Sequence, residues 1–583
     1  MSFIKSREDR LPAAASLNRD LAKIETWAKT WNVLFGAAKC KTTTISNRRD
    51  ADGNHPPLHF FGVTLEEAES VDLLGLTLNN NLSWNQVVTK MSKTAGDPTV
   101  TVEQGQITGT RYQFQANGVN HEVDAYLGIP YAEAPVGPLR FKPPVPKEWK
   151  GELTAQKYGK ICPQMIFPVF FPFKIEDMDE DCLVLNVFVP KSKHSNAAVM
   201  FWIHGGGYNI GAGSFSEGMD LHPLAALGDV IVVSINYRLN VFGFLATGDD
   251  VVPGNMGMLD QVEAMKWVQK NIAAFGGNPD RVTIFGESAG GGSVSLHTLS
   301  PLSAGLFSRA IMQSGVAIAP WARNIDTANH AKRAFTLGKL VGCNEETTEQ
   351  LVDQCLRNAP VDDIINATTS LQRGALELVY FDDSIVSNPD CNYIDALSKL
   401  LGDYYFACSN DVYLRGAFEA NNVGSVYAYY FNHHPSQSIF LNAPWSGASH
   451  GDDLTFFGYH FLPNNKTLTE VEVNMTIRMI QYWTNFAKTG NPNIASESEE
   501  YSGEDKEIDW PQYTPDKKMY QELVPDMRSI PDPNRARCRV WNEYIPKLEA
   551  WMGNLAECEQ HRTCSKVSEE RQKSTFNEGV EIP

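Results

Sequence analysis

One twelve-residue segment, Arg281 to Gly292 (R-V-T-I-F-G-E-S-A-G-G-G), constrains this chain more than any other. Val282, Thr283, Ile284 and Phe285 are β-branched or aromatic and favour a short buried strand. Gly286-Glu287-Ser288-Ala289-Gly290 follows without a spacer, and Ser293 to Leu299 is compatible with a helix. A G-x-S-x-G sequence between a strand and a helix is the context in which a serine stands at the tip of a sharp turn, exposed for nucleophilic attack. Ser288 is therefore the candidate nucleophile.

A serine hydroxyl is a weak nucleophile and needs a base, a group that orients the base, and donors for the developing oxyanion. The donors are legible. Ala198 to Ile203 (A-V-M-F-W-I) reads as a buried strand, and His204-Gly205-Gly206-Gly207 follows it. Such a turn offers backbone N–H groups that no side chain shields. The N–H groups of Gly206 and Gly207, with that of Ala289, would form an oxyanion hole.

Apolar runs alternate with helical segments through the middle of the chain. Ala198 to Ile203, Val230 to Asn236, Val282 to Phe285 and Ala310 to Gln313 read as strands. Asn255 to Phe275, Ser293 to Leu299 and Asp326 to Val341 read as helices. Continuous β-branched runs interleaved with helices predict an α/β fold with a mostly parallel sheet covered on both faces.

Glu180-Asp181-Cys182-Leu183-Val184-Leu185-Asn186-Val187 resembles the E-D-C-L-x-L-N signature of the type B carboxylesterase and cholinesterase family. The likeness continues through Asn236-Tyr237-Arg238, Gly243-Phe244-Leu245, Pro253 to Gly257, Asp260-Gln261, Trp267-Val268-Gln269 and Phe275 to Pro279 into the serine turn. It covers roughly residues 100 to 550. The resemblance implies an α/β-hydrolase fold, no cofactor or metal, a small-molecule ester as partner and, by family habit, a homodimer. It implies structural ion pairs Arg140–Glu180 and Arg238–Asp260. It implies disulfides Cys162–Cys182, Cys343–Cys355 and Cys408–Cys538, and an acyl-pocket role for Trp321.

The base must follow the serine in this fold's chain order. Gly447-Ala448-Ser449-His450-Gly451-Asp452-Asp453-Leu454 resembles the family's histidine loop, which makes His450 the base that takes the proton from Ser288. His433, His434 and His460 lack that surrounding pattern and read as surface or supporting residues. The orienting acid is not found. The family's G-x-x-x-D/E-E-G turn has no counterpart, and Ser288 and His450 stand only 162 residues apart, closer than the resemblance implies. The jump falls after Ala375 to Tyr380, so the expectation is an internal deletion near residue 380 that removes one central strand. Glu377, Asp382 and Asp383 lie near the junction outside any motif and read as solvated carboxylates. A chain of this kind is expected to be an impaired hydrolase.

The family's choline-ester members hold a quaternary ammonium against an indole face. At that place this chain has Phe171-Pro172-Phe173, which favours a broad carboxylesterase over a choline-ester specialist. The alternative is a non-catalytic, cholinesterase-like binding or adhesion protein.

The first 95 residues differ in composition. They hold 12 Lys/Arg against 10 Asp/Glu, while the whole chain carries a formal charge of −19. That acidity argues against nucleic-acid binding by the folded body. Leu21, Ile24, Trp27, Trp31 and Leu34 fall on one face of a predicted helix from Leu17 to Phe35. Asn18 to Leu21, Lys39-Cys40-Lys41 and Leu73 to Trp84 resemble the end of a retroelement reverse transcriptase, without its paired catalytic aspartates. Residues 1–95 thus read as a fusion, a gene-model join or a divergent helical appendage, 99–550 as the hydrolase domain, and 551–583 as a disordered tail.

Met1 to Arg10 lacks the apolar core of a signal peptide, and no run of about 18 apolar residues predicts a membrane span. Ten cysteines and the sequons at Asn366, Asn465 and Asn474 point the other way, to a secreted glycoprotein ancestry. Cys40, Cys391, Cys558 and Cys564 have no assigned partner. The expectation is secretion by ancestry, and an intracellular location for the chain as written.

Overall fold

The computed structural model describes residues 97–550, apart from 117–118, 166–173, 193–194, 214–220, 325–326, 381–392, 421–423, 439–446, 458–467 and 495–509, and a few short strands nearer the N-terminus. The chain divides into two compact units, Met1–Gly96 and Asp97–Pro583. Within the first unit, Ser70–Leu73 and Leu76–Asn79 form a hairpin, and Lys41–Thr42 pairs in parallel with Glu66–Glu67. The predicted helix from Leu17 to Phe35 and the tail lie outside the described residues, as do Cys40, Cys391, Cys558 and Cys564.

The second unit is built on a seven-stranded sheet. Its strands are β1 (Thr110–Ala116), β2 (Val119–Pro130), β3 (Val184–Pro190), β4 (Ala197–Ile203), β5 (Ile231–Ile235), β6 (Gly277–Glu287) and β7 (Arg309–Gln313). The spatial order is β7-β6-β4-β5-β3-β2-β1. β7, β6, β4 and β5 run parallel, and β3, β2 and β1 extend the sheet by antiparallel pairing. Side chains alternate between two cores. Val199, Phe201 and Ile203 of β4 join Val233, Ile235, Val282 and Ile284 on one face. Ala198, Met200 and Trp202 join Val232 and Phe285 on the other. Both faces are therefore dry, which is why these strands read as unbroken apolar runs. Helix α1 (Met256–Asn271) lines the first core; α2 (Ala289–Leu299) follows the serine, and α3 (Glu470–Thr489) closes the second core. This is the α/β-hydrolase architecture.

Two predicted boundaries shift. β6 begins at Gly277, before the β-branched run, and α2 begins at Ala289, directly after Ser288. The triple glycine after Ala289 looks like a loop by propensity, yet it is buried helix. A Cβ on Gly291 would stand 2.6 Å from the Gln313 carbonyl, so close packing against β7 overrides propensity there.

The sheet stops at β7. The next apolar strand, β8 (Ala428–Phe431), pairs in parallel with β9 (Met519–Leu523), which pairs with β10 (Arg528–Pro531) in a separate three-stranded sheet. Among the described residues no ladder joins β7 to β8. The two nonetheless share one core: Ile311 of β7 and Tyr429 and Phe431 of β8 pack into the cluster that contains Trp483 of α3. The interruption lies where the sequence predicts a lost strand.

The implied covalent and ionic fasteners are present. Cys162–Cys182, Cys343–Cys355 and Cys408–Cys538 are disulfides. Arg140 and Arg238 make two-pronged pairs with Glu180 and Asp260, and all four side chains are buried. Removing one partner of such a pair would strand a buried charge, which costs about 3–5 kcal/mol. No helix among the described residues is long and apolar enough to cross a membrane.

Candidate active site

β6 delivers Ser288 to the edge of the sheet and α2 begins at the next residue. The serine backbone takes up the whole change of direction, at φ 57° and ψ −121°. Such a conformation costs a non-glycine residue of order 1–3 kcal/mol and persists only where the surroundings enforce it. The enforcement is visible. The Ser288 amide donates to the Gln313 carbonyl of β7 at 2.8 Å, and the Ser288 carbonyl accepts from Gly292 at 2.9 Å. Gly286 and Gly290 lie against the same atom: a Cβ on either would fall 2.5 or 2.0 Å from the Ile203 carbonyl at the end of β4. The two glycines of the motif let β4 reach the serine turn.

That approach brings the turn after β4 to Ser288. A Cβ on Gly205 would sit 3.0 Å from Ser288 Cβ. Gly206 and Gly207 follow at φ 106° and 61°, left-handed values that suit glycine. Among the described residues, the amides of Gly206, Gly207 and Ala289 donate to no protein acceptor. Ala289 owes this to its place in the first turn of α2, where N–H groups have no partner within the helix. The turn is braced by His204, whose ring stacks on Tyr237 at 4.4 Å while the Tyr237 hydroxyl donates to the His204 carbonyl. Burial holds the His204 pKa down, at about 4, so the ring is neutral.

His450 arrives from the other sheet's side of the chain, on the loop before a short 3₁₀ turn, Asp452–Phe456. The two aspartates after it fix that loop. Asp452 accepts from the Ser449 amide at 2.7 Å and from the Ser438 hydroxyl at 2.6 Å. Asp453 accepts from Gln313 Nε2 at 2.8 Å, tying the histidine loop to the end of β7. His433 instead reaches Glu472 at 3.1 Å, and His434 lies 3.9 Å from Asp452; His460 lies outside the described residues.

The His450 Nε2 atom lies 3.3 Å from Glu287 Oε1, the carboxyl of the residue just before Ser288. The predicted nucleophile and base are thus neighbours through Glu287, although no hydrogen bond joins Ser288 to His450. Crowding by protein atoms lowers the His450 pKa from the ordinary imidazole value; with 39% of its side chain still open, water reaches the ring. Burial, with Asp453 nearby, pushes the Glu287 pKa well up. Burial raises Asp453 to about 6. A protonated Glu287 beside a neutral His450 is the arrangement that these directions favour. Among the described residues, no other carboxylate lies within ion-pair distance of His450.

Two neighbours escaped the sequence reading. Glu287 occupies a variable place in the G-x-S-x-G pattern and carried no signal of its own. Phe406 lies 4.3 Å from the His450 ring, centroid to centroid, and belongs to a π-helical turn, Asp403–Ala407, that no simple periodicity reveals. Trp321 joins them: its Nε1–H donates to the Tyr405 carbonyl at 2.9 Å and its ring lies 5.8 Å from Phe406. Phe171, Pro172, Phe173, Asp382 and Asp383 lie outside the described residues, as does the side chain of Glu377. The one described group with metal-ligand spacing, Cys343, Glu345 and Cys355, holds its two sulfurs in a disulfide and has no thiolate to offer.

A profile of the carboxylesterase family matches residues 96–389 and again 386–541. The chain belongs to the carboxylesterase family. The carboxylesterase profile breaks into two matches at residues 386–389, close to the predicted junction. The chain is 33% identical over 563 residues to the acetylcholinesterase of Bungarus fasciatus, covering 80% of this chain and 89% of that protein. It is 32% identical to the cholinesterase of Mus musculus, over 80% of this chain and 90% of that protein. It is 31% identical to the acetylcholinesterase of Electrophorus electricus, over 81% and 92%. An alignment of 563 positions is longer than the 80% of a 583-residue chain that enters it, so the Bungarus fasciatus protein carries residues that this chain lacks.

Proposed function

We propose that this chain is a serine carboxylic-ester hydrolase of broad acyl-ester preference whose turnover is far below that of an intact triad. Ser288 attacks the ester carbonyl while its proton passes to His450. The amides of Gly206, Gly207 and Ala289 receive the oxyanion, and His450 returns the proton to the departing alcohol. Water then enters, gives a proton to His450 and attacks the acyl carbon; His450 returns that proton to Ser288 Oγ as the acid departs. The observation that carries this reading is the enforced left-handed backbone of Ser288 beside unpaired turn amides, with the His450 ring one residue away across Glu287. Strain of this kind is retained where a function requires it.

The reduced rate follows from the missing acid. A histidine held without its carboxylate at the far nitrogen loses on the order of 10⁴-fold in turnover, while the oxyanion hole and binding sustain a residue of activity. Specificity is drawn from Phe406, whose ring lies beside His450, and from Trp321, which packs beside Phe406. A fluorophosphonate probe tests the reading, because it reacts only with an activated serine. The intact chain takes one label, on Ser288, slowly; Ser288→Ala takes none. Absence of label on a folded, disulfide-bonded chain overturns the enzymatic reading. It would favour the second one, a non-catalytic binding protein, which the lack of an orienting acid motif supports.

Three disulfides within the hydrolase unit support a secretory ancestry. Asn366 and Asn474 are exposed, as glycan acceptors must be. A homodimer is supported by an open apolar strip. Leu397, Leu400, Tyr404, Val540, Tyr544 and Leu548 are each 40–55% exposed, and Tyr404 touches Trp541 to connect the two segments that carry them.

A further inference from the structure

We propose that a cavity between the helix Cys408–Glu419, the end of the β9–β10 hairpin and the short helix Arg535–Arg539 binds a small phosphate-class oxyanion, free or as a monoester. The site is independent of Ser288 chemistry. The cavity measures about 270 Å³, far more than the roughly 10–15 Å³ that one water requires. Four cations line it, Arg415, Lys518, Arg535 and Arg539, against the three carboxylates of Asp411, Asp532 and Glu543. In a chain of formal charge −19 this is a local excess of the opposite sign.

The carboxylates are already engaged. Asp411 faces Arg415 at 3.1 Å, Lys518 at 3.6 Å and the Asn542 amide nitrogen at 3.3 Å. Glu543 lies 3.3 Å from Arg539, and Asp532 accepts from the Asn534 amide at 2.9 Å. The donors are not matched in the same way. Arg415 Nε is enclosed without an acceptor. Arg535 makes no hydrogen bond or ion pair among the described residues, and Asp532 is the counter-charge whose field it shares. Lys518 brings three N–H donors to one carboxylate. What the cavity lacks is therefore an acceptor, and an oxyanion supplies several, in the planar geometry that a guanidinium matches. A metal cation would add charge beside four cations. The donors are also held in place. Lys518 stands at φ 47°, its amide donating to the Thr514 carbonyl at 2.8 Å and its carbonyl accepting from the Asp532 amide at 2.9 Å. The Cys408–Cys538 bond ties together the two helices that carry Arg415 and Arg535. Donors fixed in advance lose little freedom on binding.

The test is calorimetric titration of the full chain with inorganic pyrophosphate and, separately, with phenyl phosphate, in phosphate-free buffer at fixed ionic strength. Saturable binding of at least one of them, at one site per chain, is expected. Tighter binding of pyrophosphate assigns a free inorganic anion, and tighter binding of phenyl phosphate a monoester. Arg535→Ala and Arg415→Gln are each expected to weaken that binding about tenfold or more, the loss of a charge-assisted hydrogen bond. Arg535 is exposed, so its replacement retains the fold if Arg415→Gln loosens it. Arg528→Ala removes an equal charge from β10, where Arg528 pairs with Glu522 outside the cavity, and is expected to bind as the unaltered chain does. Absence of binding by both probes overturns the proposal, as does unchanged affinity in both cavity variants. An equal loss in Arg528→Ala overturns it too, since the attraction would then be diffuse charge and not a site.

Discussion

Removing the Ser288 hydroxyl is expected to abolish fluorophosphonate labelling, whereas His450→Gln should slow it at least tenfold and leave it measurable, since oxyanion donors act without the base. The pH dependence has a definite sign. The base works only as neutral imidazole, and crowding lowers the His450 pKa. The acid limb of the labelling rate is thus expected below the ordinary imidazole value near 6.5; a limb at or above that value contradicts the lowered His450 pKa. Ser288, the turn amides and His450 were legible because each is embedded in a short pattern of fixed geometry. Glu287 and Phe406 were not, since their importance arises from which ring or carboxyl lies across from them in space. The Asp452 and Asp453 side chains show the same point: both stand in the histidine motif, but only the fold reveals that they anchor its loop to Ser438, Ser449 and Gln313.

Helix α3 shows how an element holds the second core. Thr469 and Glu472 close a reciprocal cap at its start, and Glu472 also accepts from the Ser436 amide and hydroxyl. Burial opposes ionisation of Glu472, yet the bonds from Ser436 and Thr469 outweigh it and hold its pKa at about 2. A carboxyl depressed in the folded state stabilises the fold above its unfolded value, near 4.5. That contribution is lost as pH falls from there to about 2. Glu472→Gln is therefore expected to lower the melting temperature at pH 7 and to have a much smaller effect near pH 2. Thr469→Ala should cost about 1 kcal/mol through the cap alone. The parallel strands and α1 were readable from apolar runs and from helical period. The first turn of α2 was not, because three glycines in a row resemble a loop until the carbonyls packed on them are known. The early start of β6 was hidden likewise, since Gly277 gains its strand pairing from Ala197 of β4.

For the whole molecule, the boundary at residues 96 and 97 predicts that a chain beginning at Asp97 labels at the same rate as the full chain; a clear loss would assign the N-terminal unit a part in the site. The Cys408–Cys538 bond spans 130 residues. Closing so long a loop is worth about 4–5 kcal/mol in the chain-entropy picture, so Cys408→Ser with Cys538→Ser should lower thermal stability markedly. Light scattering of the full chain tests the dimer, with Leu400→Glu expected to shift it to monomer. The α/β order and the junction near residue 380 were predictable from the residues. How the second sheet would lie without its missing neighbour was not, because that depends on how Ile311, Tyr429 and Phe431 share the space around Trp483.

The gap after β7 has a thermal consequence. Ser288 and the glycine turn ride on the seven-stranded sheet, while the imidazole is carried by chain that leaves the smaller one; among the described residues no strand ladder spans the seam, which is held by side-chain packing and by contacts such as Asp453–Gln313 and His450–Glu287. Such a seam parts more readily than a ladder does. On warming, the ability to take a phosphonate should vanish several degrees before the circular-dichroism signal collapses: the catalytic halves come apart while both sheets are still intact.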